Sequence, residues 1–267
     1  MLQRNQDQNY QSYLALEGLF GKVELERITI SPGFHDTLRK WVQYAEKGRN
    51  EDVSRILPEV ANWINADPEK YAKALLAWPS SLTHRAAYID PNSRYKQGLT
   101  NDITGYLLTS VQYDFVDPEV HAKMRAFDVA YPFHTNFWIR AFYANYNANL
   151  SQLLDGYLMS GLLVQVYRHI FTAKVSAVTY QENEEDIALQ IPPTTPKPPT
   201  TSTSTKNVAK LIGLSAPTAR SIAYASVILH YCLCGGKKWN METLGFNYAA
   251  LYDSIVDFFE SGVISQS

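Results

Sequence analysis

Apolar side chains recur at intervals of three and four along most of this chain, the spacing of one helix face. Leu38, Trp41, Val42 and Ala45 begin the pattern, and Gly48 follows as a helix stop. A second stripe, Val53, Ile56, Leu57, Val60 and Ile64, starts behind Asn50 as a cap, with Glu51 and Asp52 near its positive end. Pro58 predicts a kink or break within that stripe. Asp67-Pro68-Glu69 places a cap, a first-turn proline and an acid in succession, so a helix should run from there through Leu75 and Leu76 and stop near Trp78, before Pro79. Asp117-Pro118-Glu119 repeats the signature and opens a short helix ending near Phe127. Residues 136–145 and 151–172 read as helices, the second with Leu154, Leu158, Leu162, Val166 and Ile170 repeating every four. Ser215-Ala216-Pro217 begins another, carrying Ile222, Val227, Ile228, Leu229 and Leu233 and closed by Gly235-Gly236. Asn247 caps a last helix with Leu251, Tyr252, Ile255, Val256, Phe258 and Phe259 on its apolar face.

Elsewhere the pattern weakens. In residues 1–35, Tyr13, Leu14, Leu16, Leu19 and Phe20 fit a short helix, whereas Val23, Leu25, Ile28 and Ile30 alternate as a strand would. Residues 79–116 carry Pro79, Pro91, Gly98 and Gly105 among polar side chains and read as irregular. Glu182, Glu184, Glu185 and Asp186 form an acidic patch, followed by Pro192-Pro193-Thr194-Thr195-Pro196-Lys197-Pro198-Pro199 and a run of Thr and Ser to Thr205. Proline has no amide donor and this segment has nothing to bury, so it should be extended and solvated. The expected fold is therefore all-α, an irregular multi-helix bundle with a long disordered Pro/Thr loop. Its organisation would be a weakly structured segment over 1–35, a first helical part over 36–191, the loop over 192–205 and C-terminal helices over 206–267. Strand signals are almost lacking, and helices on both sides of the loop should share one core. The last helix is too apolar on one face to stand alone in water.

A chain of 267 residues, 46% of them hydrophobic, can bury a core without covalent staples. The formal net charge of −2, from 24 basic and 26 acidic side chains, gives no long-range pull toward nucleic acid or anionic lipid. The polar start, Met1 to Gln8, has no apolar signal core. The longest apolar run, Leu153 to Phe171, is interrupted by Asp155, Gln165, Arg168 and His169, which suits a buried helix better than a membrane span. Cys232 and Cys234 are too close in sequence, and diverge too far on a helix, to form an unstrained disulfide. These features predict an intracellular protein, cytoplasmic or nuclear, with free thiols and no membrane association.

Candidate chemistry adds little. Cys232 and Cys234 with His230 lack a second ligand pair, and the histidines (His35, His84, His121, His134, His169, His230) show no i, i+4 spacing, so no metal site is expected. A nucleophilic cysteine would need a base such as His169 or His230 and an electropositive pocket; burial in a helix is the ordinary role of such a residue. Gly235-Gly236-Lys237-Lys238 superficially resembles a phosphate loop, but the glycines follow a helix and Trp239 stands where Ser or Thr would be needed. Asp253 with Asp257, and Glu184 with Glu185, read as solvated faces. Asn149-Leu150-Ser151 fits the glycosylation sequon, and Thr195-Pro196 places a hydroxyl before proline. Tyr143, Tyr146, Tyr157 and Tyr167 are candidates for a base-stacking groove, but the basic residues are scattered, with Arg39-Lys40 and Lys237-Lys238 the adjacent pairs singled out. Packing and partner contacts are the better expectation for them.

Three blocks of sequence resemble a known family. The first comprises Trp63-Ile64, the run from Gly98 through Asp102-Ile103-Thr104-Gly105-Tyr106, and Asp114-Phe115-Val116-Asp117-Pro118-Glu119 with Lys123 and Arg125. The second is Gly161-Leu162-Leu163-Val164 with Tyr167-Arg168-His169-Ile170-Phe171-Thr172. The third is Ile222-Ala223-Tyr224-Ala225, Trp239, Phe246-Asn247-Tyr248, Leu251-Tyr252 and Ile255 to Glu260. Their order and spacing, over roughly residues 36–260, resemble an uncharacterised family of mushroom-forming (basidiomycete) fungi, domain of unknown function 6698. Members carry Leu-Leu-Cys-Pro after the Thr-Gly turn where this chain has Leu107-Leu108-Thr109-Ser110. The resemblance implies a fungal intracellular protein and transfers no activity, cofactor or site residue.

The leading functional expectation is a non-enzymatic interaction or scaffold protein that binds protein partners through an exposed aromatic surface. A nucleic-acid or mobile-element accessory protein is the alternative, and an enzyme with an unfamiliar site comes third. No catalytic, cofactor-binding or metal-ligating residue is assigned from the sequence.

Overall fold

The stripe Val53, Ile56, Val60, Ala61 and Ile64 is buried along α1, Phe34–Ala66, in a computed structural model that describes residues 34–73, 75, 88–94, 97–131, 138–172, 208–236, 239–240, 242–243 and 245–260. Helix α1 does not stop at Gly48 or break at Pro58, as the sequence predicts. A proline in a helix interior costs about 3 kcal/mol. Side chains buried on both sides of Pro58, each worth roughly 1.5–3 kcal/mol, outweigh it. The chain divides into two compact units, Met1–Asp52 and Val53–Ser267. In the first, the described residues open α1, where Asp36 pairs with Arg39 at 3.0 Å and Lys47 with Glu51 at 3.9 Å. Val42 and Tyr44 are exposed there.

The second unit holds the core. Asp67 caps α2, Pro68–Tyr71, its side chain accepting from the Lys70 amide. The helix ends at Tyr71 and does not reach Trp78 as predicted: the Ala72 amide bonds back to the Pro68 carbonyl, and Ala72 leaves helical geometry. The supposedly irregular stretch before Asp117 contains a 3-10 turn, Gly98–Thr100, and α3, Asp102–Leu108. Asn101 caps α3 by accepting from the amides of Ile103 and Thr104, and the Thr104 hydroxyl donates to the Gly98 carbonyl at 2.7 Å. Gly105 is a packing residue in this helix, because a Cβ there would sit 2.9 Å from Phe115 Cζ. Helix α4, Pro118–Arg125, follows Asp117 as expected.

Residues 138–160 depart furthest from the predicted helices. They form 3-10 turns at Arg140–Phe142 and Ala144–Tyr146, then tight turns through residue 159. The backbone donors are used sideways: Arg140 bonds to the Thr109 carbonyl and Ala144 to the Gly156 carbonyl. The helix proper, α5, is Gly161–Phe171, capped by Ser160.

A short α6, Val208–Leu211, precedes α7, Ala219–Leu233, which starts at a capping box between Thr218 and Ser221, a few residues later than predicted. A two-residue ladder pairs β1, Glu242–Thr243, with β2, Phe246–Asn247, before α8, Tyr248–Glu260. Helix α7 packs against α8, α5 and α3, so helices before and after the Pro/Thr segment share one core. The fold is mostly helical, the expected class. Residues 1–33, the acidic patch at 182–186 and the 192–205 segment lie outside the described residues. Among the described residues no helix is long and apolar enough to cross a membrane.

Candidate functional site

The turns between Trp138 and Ser160 sit on a bed of aromatic rings. Tyr157 is 4.7 Å from Trp138, 5.3 Å from Tyr143 and 5.4 Å from Phe258 of α8, measured between ring centroids. Tyr143 and Tyr157 also form a bridge, and the Tyr143 hydroxyl donates to the Leu153 carbonyl at 2.9 Å. The Tyr146 hydroxyl accepts from the Leu162 amide at 3.2 Å. Tyr143, Tyr146 and Tyr157 are buried, and burial pushes the phenols of Tyr143 and Tyr157 well above their ordinary range. Tyr167, half-buried, lies 3.3 Å from the Ser221 hydroxyl. These tyrosines are framework, and three of them cannot form a base-stacking groove.

The turns present a mixed surface outward: Asn145, Asn147, Asn149, Ser151, Gln152 and Asp155 are exposed, and three large apolar side chains stand among them. Leu150 is 60% exposed, Leu154 49% and Met159 45%, with Phe259 of α8 also exposed. Their backbone is held by a chain of tight-turn bonds, from Gln152 to Asn149, Asp155 to Gln152, Tyr157 to Leu154 and Met159 to Gly156. Of the described non-glycine residues with positive φ, Asn145, Tyr146 and Leu158 belong to this region. Such a conformation costs of order 1–3 kcal/mol each and persists where the surroundings over-determine it. A strained, hydrogen-bonded loop system thus holds three large apolar side chains in solvent among polar ones. Tyr143, Tyr146 and Tyr157 lie beneath these turns and are not part of an exposed aromatic surface.

A second cluster lies inside the bundle. The Tyr248 hydroxyl stands 3.1 Å from Cys234 Sγ and 3.3 Å from His230 Nδ1. Cys232, Cys234, His230 and Tyr248 are all buried. Burial lowers the His230 pKa to about 3 and raises that of Cys232 to about 12. Cys234 is also raised by burial, against an opposing pull from the Tyr248 hydroxyl. The Arg94 guanidinium lies 4.3 Å from the Tyr231 ring and donates to the Tyr231 carbonyl, placing a cation at the negative end of α7. The sequence places Cys234 and His230 on one helix, and the structure brings them together through Tyr248. Nucleophilic thiols need a thiolate and access. These two are neutral and enclosed, as packing residues.

Asp102, His121 and Arg125 meet at the base of α3. Asp102 Oδ1 accepts from Arg125 Nη2 at 3.0 Å and lies 3.3 Å from His121 Nε2. Arg125 also donates to the carbonyls of Leu99 and Thr100. Burial and then the Arg125 charge lower the His121 pKa, with Asp102 opposing. The group ties α4 to the turn before α3. Arg140, buried, donates to Asn147 and to the Tyr113 carbonyl at 2.8 Å, with its guanidinium 4.8 Å from the Tyr106 ring. His169 packs edge-on to Trp63, with ring centroids 6.1 Å apart.

The remaining motifs fall into place. Gly235, at φ 47°, ends α7, and a Cβ there would meet the Gln97 carbonyl oxygen at 3.1 Å, so the glycine is a helix terminator under close backbone approach. Lys237 and Lys238 lie outside the described residues. Asp253 and Asp257 are exposed on α8. Among the described residues, no group of three or more His, Cys, Asp or Glu could hold a metal ion. The apolar turns were hidden from sequence reading because Leu154, Leu158 and Leu162 keep helical spacing. Asn145, Asn149, Gly156 and the Ser160-Gly161 start were the available contrary signals.

A family described as a family of unknown function, DUF6698, matches residues 43–265. No curated protein and no solved structure matches the chain.

Proposed function

We propose a protein-docking role without catalysis for this chain, which belongs to the family of unknown function DUF6698. One observation carries the reading: Leu150, Leu154 and Met159 are each exposed on turns whose backbone is anchored to a buried aromatic bed. A pre-ordered apolar surface loses little conformational freedom on binding, so more of the contact free energy appears as affinity. Leucine and methionine also adapt to partner shape, methionine most of all. The buried, uncharged state of Cys232, Cys234 and His230 supports a structural role for the residues with most chemical potential.

The test is affinity capture from extract of the source cells with wild-type chain and with Leu154→Asp/Met159→Asp, after nuclease digestion. Both substituted residues are exposed, so the variant should keep its circular dichroism spectrum and thermal midpoint. Defined proteins retained by the wild type and lost by the variant are the expected result. An identical set of captured proteins, or capture abolished by nuclease, would count against docking at this surface.

A further inference from the structure

We draw no further inference here: the strongest candidate, the first half of α1, where the described side chains from Asp36 to Lys47 all stand exposed and Val42 and Tyr44 lie in solvent, carries no proposal because nothing in the structure shows what covers it.

Discussion

The imidazole of His230 lies face to face with the ring of Phe246, centroids 3.7 Å apart and planes 18° apart. Stacking and full burial leave no solvent to stabilise an imidazolium, and its pKa falls from 6.5 to about 3. The pH dependence follows directly. Above pH 6.5 the ring is neutral in both states and contributes no slope. Between pH 6.5 and about 3, the unfolded chain binds a proton at this residue that the folded chain does not. Stability should therefore fall as pH drops through that window, by up to about 1.4 kcal/mol per pH unit. Urea denaturation at pH 7 and pH 5 measures the slope. His230→Phe keeps the stacking partner and should flatten it; an equally steep profile in that variant would assign the proton elsewhere.

The thiols offer a kinetic counterpart. Cys232 and Cys234 are buried, and burial pushes the Cys232 thiol up to about 12. At pH 8 both should resist an aromatic disulfide reagent in native buffer and react promptly in urea. Native labelling should be limited by the opening of α7, with a rate independent of reagent concentration when reagent is in excess. Rapid, reagent-dependent labelling of either residue would show a thiol accessible in the folded state.

The contrast between α7 and the 138–160 turns explains what the sequence could carry. In α7, propensity, the cap and the apolar stripe agree: Thr218 and Ser221 close a box, Ala223, Val227 and Ile228 face the core, and Gly235 ends it. Where local signals agree, a helix is legible from its own residues. In the turns they conflict. Leu154, Leu158 and Leu162 keep helical spacing, yet Gly156 and Leu158 adopt positive φ, and Tyr143 takes the Leu153 carbonyl from across the loop. That outcome depends on residues distant in sequence, such as Phe258 under Tyr157, which no local window contains. Gly105 was misleading in the same way: it reads as punctuation in sequence and serves as clearance for Phe115 in the fold. The exposure of Leu150, Leu154 and Met159 was therefore not legible from the sequence, which assigned Leu154 to a helix stripe.

Pro58 makes a prediction opposite to the usual effect of a helix substitution. It sits inside α1 between the buried residues Ile56 and Val60. Replacing it by alanine restores a backbone donor and removes the ring from the preceding turn. Pro58→Ala should raise stability, by as much as about 3 kcal/mol. Gly48→Ala, where a Cβ would meet nothing within 4 Å, should raise it by a smaller increment of about 1 kcal/mol. Chemical denaturation of the two single variants and the double would give both values, and a loss at Pro58 would show that the proline fits a bend the core requires.

Gly105 and Phe115 form the tightest described approach of a glycine to a side chain. A Cβ on residue 105 would fall 2.9 Å from Phe115 Cζ and 3.3 Å from the Leu99 carbonyl oxygen. Phe115 is fully buried between Tyr106 and His121, so its ring has little room to retreat. Helix propensity alone would make Gly105→Ala stabilising by about 1 kcal/mol. Overpacking of 1–3 kcal/mol should exceed that gain, so the variant should lose roughly 1–2 kcal/mol. Phe115→Leu costs stability by itself through lost contact, but it clears the space above residue 105. In its background Gly105→Ala should become neutral or stabilising, giving a coupling of about 1–3 kcal/mol in a double-mutant cycle. Additive losses would place the penalty on the Leu99 carbonyl and the backbone turn at Gly98–Thr100, and the glycine would then serve that turn and not the aromatic packing.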